Sequence, residues 1–82
     1  MARVTLYGKP GCHLCDEARE VIERVRADHP FDLREVDVSL DPELFREYGE
    51  RIPVLELDGE ELFEFHVEEA ALVERVDRVD NS

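Results

Sequence analysis

The chain has no tryptophan, a single methionine, a single lysine (Lys9) and two cysteines. No apolar run approaches the roughly 18 residues that a transmembrane helix needs, which excludes a membrane-spanning segment. Met1-Ala2-Arg3 leads straight into strand-like sequence with no apolar leader, so a cytoplasmic location is expected. Structural disulfides are rare in that compartment, and two cysteines would be a poor framework for a small secreted domain. Basic residues are also scarce, with 10 Lys and Arg against 22 Asp and Glu and a net charge of −12. Such a surface excludes nucleic acid and anionic membranes as partners. Its simplest account is a solvated, soluble exterior. A salt-rich cytoplasm would also favour it. Repeats, linkers and low-complexity segments are missing, and 82 residues suffice for one core. Residues 1–82 are therefore read as one domain.

What is present alternates between two periods. Arg3-Val4-Thr5-Leu6-Tyr7 is short, β-branched and closed by Gly8, a first strand. After Pro10-Gly11, the spacing of Leu14, Ala18, Val21, Ile22 and Val25 predicts a helix buried along one stripe and ended at His29-Pro30. Phe31 to Val38 reads as a second strand, but its apolar phase slips between Leu33 and Val36, so one end must leave the regular pleat. Asp41-Pro42 opens a short helix carrying Leu44, Phe45 and Tyr48 on one side and stopping at Gly49. Val54 to Leu57 forms a third strand. Asp58-Gly59 then predicts a tight turn and an antiparallel return from Glu61 to Phe65. A last helix is expected from about Val67 to Val79, with Glu68 and Glu69 in its first turn and Asp80-Asn81-Ser82 as a tail. The order is βαβαββα. Both strand–helix–strand units are expected to join parallel neighbours, with the hairpin adding an antiparallel edge and helices on both faces.

Cys12 and Cys15 lie where the first strand passes into the first helix. With Cys12 at the N-cap, Leu14 and Cys15 take the positions whose backbone N–H groups have no partner within the helix. A Cys12 thiolate would accept those bonds at the positive end of the helix dipole, and both effects favour the charged form. Lys9 and His13 would add to this if they lie near the sulfur, while Asp16 and Glu17 oppose it. Cys15 sits one turn on, tucked inward. That asymmetry suits thiol–disulfide exchange, in which Cys12 attacks a disulfide and Cys15 resolves the mixed disulfide. A Cys-x-x-Cys in a βαβ setting is a redox signature.

Metal binding is the rival reading. Zinc wants four ligands, and the motif offers two cysteines and His13, with His29 and His66 too distant in sequence to assign. A dimer sharing ligands, or an iron–sulfur cluster bridged between chains, would complete such a site. Copper chaperones place a Cys-x-x-Cys after a first strand as well, but their βαββαβ order disagrees with a helix over Pro42 to Tyr48. A redox-silent interaction module is the third class.

"LYGKPGCHLCDEA", followed after one strand and one helix by "RIPVLELDGEEL", resembles the glutaredoxin branch of the thioredoxin fold. The likeness runs from Val4 to Val79 and is similar to the small single-domain glutaredoxin-like proteins of bacteria and archaea. It implies a four-stranded mixed sheet flanked by three helices, with Cys12 as nucleophile and Cys15 as resolving cysteine. It implies that Pro53 is a cis-proline against the cysteine pair, leaving the Ile52 backbone free to pair with an extended substrate. Lys9 matches a lysine that helps hold a glutathione carboxylate. His13 and Leu14 stand where glutaredoxins have proline and tyrosine, and Arg51 replaces a threonine, where it can meet a carboxylate or a protein. Phe65-His66-Val67-Glu68 stands where a Gly-Gly stretch cradles glutathione, and without glycine a close backbone approach is disfavoured. The Trp-Cys-Gly-Pro-Cys signature of thioredoxins is missing. The resemblance implies a monomer with no bound cofactor and no resident metal, which reduces protein disulfides or glutathione mixed disulfides and is recharged by glutathione or another thiol donor.

Overall fold

The computed structural model describes residues 2–80; Met1, Asn81 and Ser82 lie outside it. Strand β1 covers Arg3–Gly8, helix α1 His13–Asp28, strand β2 Asp32–Asp37, helix α2 Pro42–Tyr48, strand β3 Val54–Leu57, strand β4 Glu60–Glu64 and helix α3 Glu69–Asp80. The four strands form one sheet in the order β2-β1-β3-β4. β1 and β2 run parallel from Arg3 opposite Asp32 to Gly8 opposite Asp37.

One expectation about strand direction is overturned. β3 runs antiparallel to β1, with Val4 opposite Leu57 and Tyr7 opposite Val54, so only the first strand–helix–strand unit joins parallel neighbours. The route from β2 through α2 does not return beside β2. It places β3 on the far side of β1, where the chain arrives from the opposite end. The hairpin is as expected, with Asp58 and Gly59 both at positive φ (50° and 88°), the pair of left-handed residues that a two-residue turn uses. A register shift between Leu55 and Glu56 makes Leu62 an extra residue on the β4 side.

The slip in β2 has a plain cause. Val38 leaves the pleat for a single 3-10 turn over Val38–Leu40, while buried Phe31 precedes the first paired residue. The boundaries of two further elements move as well. β4 ends at Glu64, putting Phe65 outside the strand, and α3 begins at Glu69 and includes Asp80, which therefore is not tail.

Alternation along the strands divides the core. Val4, Leu6, Leu55 and Leu57 face α1 and α3, where they meet Ala18, Ile22, Val25, Leu72 and Val76. Two polar contacts tie these helices together on the outside, Arg24 to Glu69 at 3.0 Å and His29 Nδ1 to Asp77 at 2.8 Å. On the other face Tyr7 meets Tyr48 of α2, and Phe45 is exposed rather than packed beside it. A second, smaller cluster of Cys15, Val38 and Ile52 joins the two halves at the tip of β1.

Candidate functional site

The turn leading out of β1 sets the site. Gly11 has φ +75 after Pro10, the arrangement in which proline fixes the first corner and glycine takes the second without a Cβ penalty. Cys12 follows with extended backbone (φ −94, ψ 113) and caps α1, its Sγ accepting the Cys15 N–H at 3.3 Å. Both cysteines are free thiols. Cys12 is half-exposed, whereas Cys15 is 0% exposed. Gly8 makes room for the inner sulfur: a Cβ there would stand 3.0 Å from Cys15 Sγ. Burial pushes the Cys15 thiol up to about 11, with its hydrogen bond to Cys12 adding to the rise and the Lys9 backbone amide opposing it. Among the described residues no polar or charged side chain is fully buried.

The start of β3 lies against the cysteine turn. Ile52 packs in the same cluster as Cys15, with Cys12, Tyr7, Leu44 and Tyr48 against it. The Ile52–Pro53 bond is cis, and Pro53 is buried. Pro53 uses its carbonyl to accept the Phe65 N–H at 2.8 Å, while among the described residues the Ile52 amide and carbonyl have no hydrogen-bond partner.

The other residues singled out from sequence are placed as follows. Leu14 is half-buried and lines a pocket of about 150 Å³ with Ala18, Val21, Phe65 and Val67. His13 is 86% exposed and faces Glu17 at 3.3 Å, a contact one helical turn along α1. Lys9 is exposed and lines a separate 360 Å³ pocket in which Arg19 is held by Asp16 and Glu35. Arg51 is engaged: both its terminal nitrogens bond Glu61, at 3.1 and 3.2 Å, and the guanidinium lies 5.3 Å from the Tyr48 ring centre. His29 and His66 do not meet the cysteines. Among the described residues no three His, Cys, Asp or Glu side chains stand close enough to hold a metal ion.

A neighbouring group was not legible in the sequence. Tyr7 and Tyr48 stack at 4.2 Å with planes 13° apart, and both hydroxyls donate to Glu56, at 3.1 and 3.2 Å. Burial first, and then the Glu56 carboxylate, push both phenols upward, so they stay protonated donors. The signal that would have revealed this trio is the antiparallel pairing of β1 with β3. It puts Tyr7 and Glu56 on one face, since Thr5 opposes Glu56 and Tyr7 opposes Val54.

Comparison with known proteins agrees with this geometry. A family model described as glutaredoxin-like domain (DUF836) matches residues 3–77. An uncharacterized protein of Mycobacterium tuberculosis is 32% identical over 75 residues, covering 85% of this chain and 77% of that protein. The crystal structure of a structural-genomics target, XcR50 from X. campestris, superposes with a TM-score of 0.77 at 33% identity, over 92% of this chain and 96% of the other. A thioredoxin variant from Halobacterium salinarum, at 24% identity and TM-score 0.69 over 94% of this chain and 73% of its own, shares the fold. These relationships support a redox-type function in general terms, on a chain that retains both cysteines of the motif. By descent as well as by topology, the chain belongs to the glutaredoxin-like domain family and has the thioredoxin fold.

Proposed function

We propose that this chain is a thiol–disulfide oxidoreductase that works through Cys12 and Cys15. The observation that carries the reading is the asymmetry of the pair: a half-exposed Cys12 whose sulfur accepts the Cys15 amide at the helix start, beside a Cys15 with no exposure. The Cys12 thiolate attacks one sulfur of a substrate disulfide. A Cys12–substrate disulfide forms, and the other substrate sulfur departs as a thiolate and takes up a proton. Cys15 gives up its proton and attacks Cys12 Sγ, releasing the second substrate thiolate and leaving a Cys12–Cys15 disulfide. Two electrons have passed from the protein to the substrate, and an external thiol donor restores the dithiol. The unpaired Ile52 backbone would align an extended substrate beside the sulfur. The cytoplasm is where such a dithiol stays reduced.

The reading is tested with single variants. Cys12→Ser is expected to abolish reduction of an insulin or glutathione disulfide. Cys15→Ser is expected to keep the first step and accumulate a mixed disulfide visible by mass. Turnover by Cys12→Ser equal to that of the parent would remove the proposal.

A further inference from the structure

Phe65 stands out on three counts. It has φ +66, a left-handed backbone that glycine adopts freely and a bulky residue avoids. The His66 amide bonds back to the Glu64 carbonyl at 2.7 Å, closing a three-residue γ-turn around it, and turns of this positive-φ kind are rare and strained. Its side chain is nevertheless 43% exposed, so core packing does not explain why phenylalanine sits there. The turn is anchored to the site, because the Phe65 amide bonds to Pro53 and the ring shares a pocket with Leu14, two residues after Cys12. Strain held beside a reactive group points to function.

We propose that Phe65 is a specificity-determining residue: with Leu14 it receives an apolar side chain next to the attacked cysteine of a basic polypeptide disulfide. The proposal rests on the reading of Cys12 as the attacking thiol. Its apolar component follows from the pocket, about 150 Å³ and walled by Leu14, Val21, Phe65 and Val67, a volume that suits one aliphatic side chain. The basic component follows from charge. Glu17 edges the pocket, Glu64 and Glu68 flank the turn, and the chain as a whole carries −12. The arginines nearest this rim are engaged elsewhere, Arg19 by Asp16 and Glu35, Arg24 by Glu69 and Arg51 by Glu61 and Glu64, while His66 adds an imidazole to the lining. Anionic glutathione meets acids and an aromatic wall here, whereas a peptide with Leu beside cysteine and Lys or Arg further out meets complementary groups.

The experiment measures second-order rate constants for attack by the reduced Cys15→Ser protein on three disulfides. These are a Leu-Cys peptide flanked by lysines, oxidised glutathione, and 2-hydroxyethyl disulfide as a small neutral probe. The peptide is expected to react about tenfold faster than glutathione, and Phe65→Gly, which suits the left-handed backbone, to lower the peptide-to-probe ratio roughly tenfold. Phe65→Leu, which keeps the apolar bulk, is expected to retain most of that ratio. An unchanged ratio in Phe65→Gly, or glutathione reacting as fast as the peptide, would overturn the assignment. No reaction with the neutral probe would instead show that Cys12 is not a working nucleophile, and the proposal would fall with that reading.

Discussion

The inner thiol makes the protein's alkaline behaviour calculable. Burial raises Cys15 from an ordinary 9.0 to about 11. Between those values the native state keeps a proton that the unfolded chain has lost, so stability is intact below pH 9.0 and falls as pH rises toward 11. At about 1.4 kcal/mol per pH unit, the loss over that window is of order 2 kcal/mol. Tyr7 and Tyr48 are also raised and add a fall of their own above 10.0, so the Cys15 share is the difference between the parent and Cys15→Ala. Urea midpoints measured from pH 8 to pH 11 are expected to converge for the two proteins; parallel curves would rule out this role for burial. The position of Cys15 was legible in the sequence, because strand, turn and helix signals are all local there. Phe65 was not. Nothing in its neighbours marks a left-handed residue, and the usual marker, glycine, is missing from the turn.

Among the elements, α2 is the one whose existence is most easily disturbed. Seven residues are too few to hold a helix alone, so it relies on its ends and on packing. Asp41 Oδ1 accepts the Glu43 and Leu44 amides at 2.9 and 3.4 Å, and Pro42 occupies the first turn. Asp41→Ala is expected to cost about 0.5–2 kcal/mol. Because Leu44 and Tyr48 pack against the cysteine cluster, the same variant should raise amide hydrogen exchange at Phe65, whose N–H bonds the Pro53 carbonyl, as well as in the helix. Protection that is lost in the helix alone would mean that α2 does not support the site. The Asp41-Pro42 start was readable from two residues. The direction of β3 was not, since periodicity records which side chains face the core and is identical when a strand is reversed. Direction depends on where the chain emerges after α2, which is settled by packing across the sheet. The Tyr7–Tyr48–Glu56 contact shared that fate, being a consequence of the antiparallel register.

For the whole molecule, charge decides between two opposed effects of salt. Ion pairs such as Arg24–Glu69 and Arg75–Glu60 weaken on screening, but exposed pairs contribute only about 0–1 kcal/mol each. Self-repulsion among an excess of twelve negative charges acts across a body with a radius of gyration of 12.2 Å. At 0.01 M salt the screening length of about 30 Å exceeds that size, and at 0.15 M it is about 8 Å. Repulsion therefore wins, and the urea midpoint is expected to rise between those two concentrations; a fall would assign the larger share to the ion pairs. Among the described residues no helix is long and apolar enough to cross a membrane, in keeping with a surface of this polarity.

The two outer strands of the sheet carry this charge in a particular way. β2 presents exposed Asp32, Arg34 and Glu35 along one border, and β4 presents Glu60, Glu61 and Glu64 along the other. An unpaired strand is an open template for any passing chain. Two copies meeting β4 to β4 would have to strip water from these carboxylates and from the Arg51 and Arg75 groups paired with them, a cost that opposes stacking at that border. Solubility during folding is thus written into the margins of the sheet, while the tip that bears the cysteines is left open to approach.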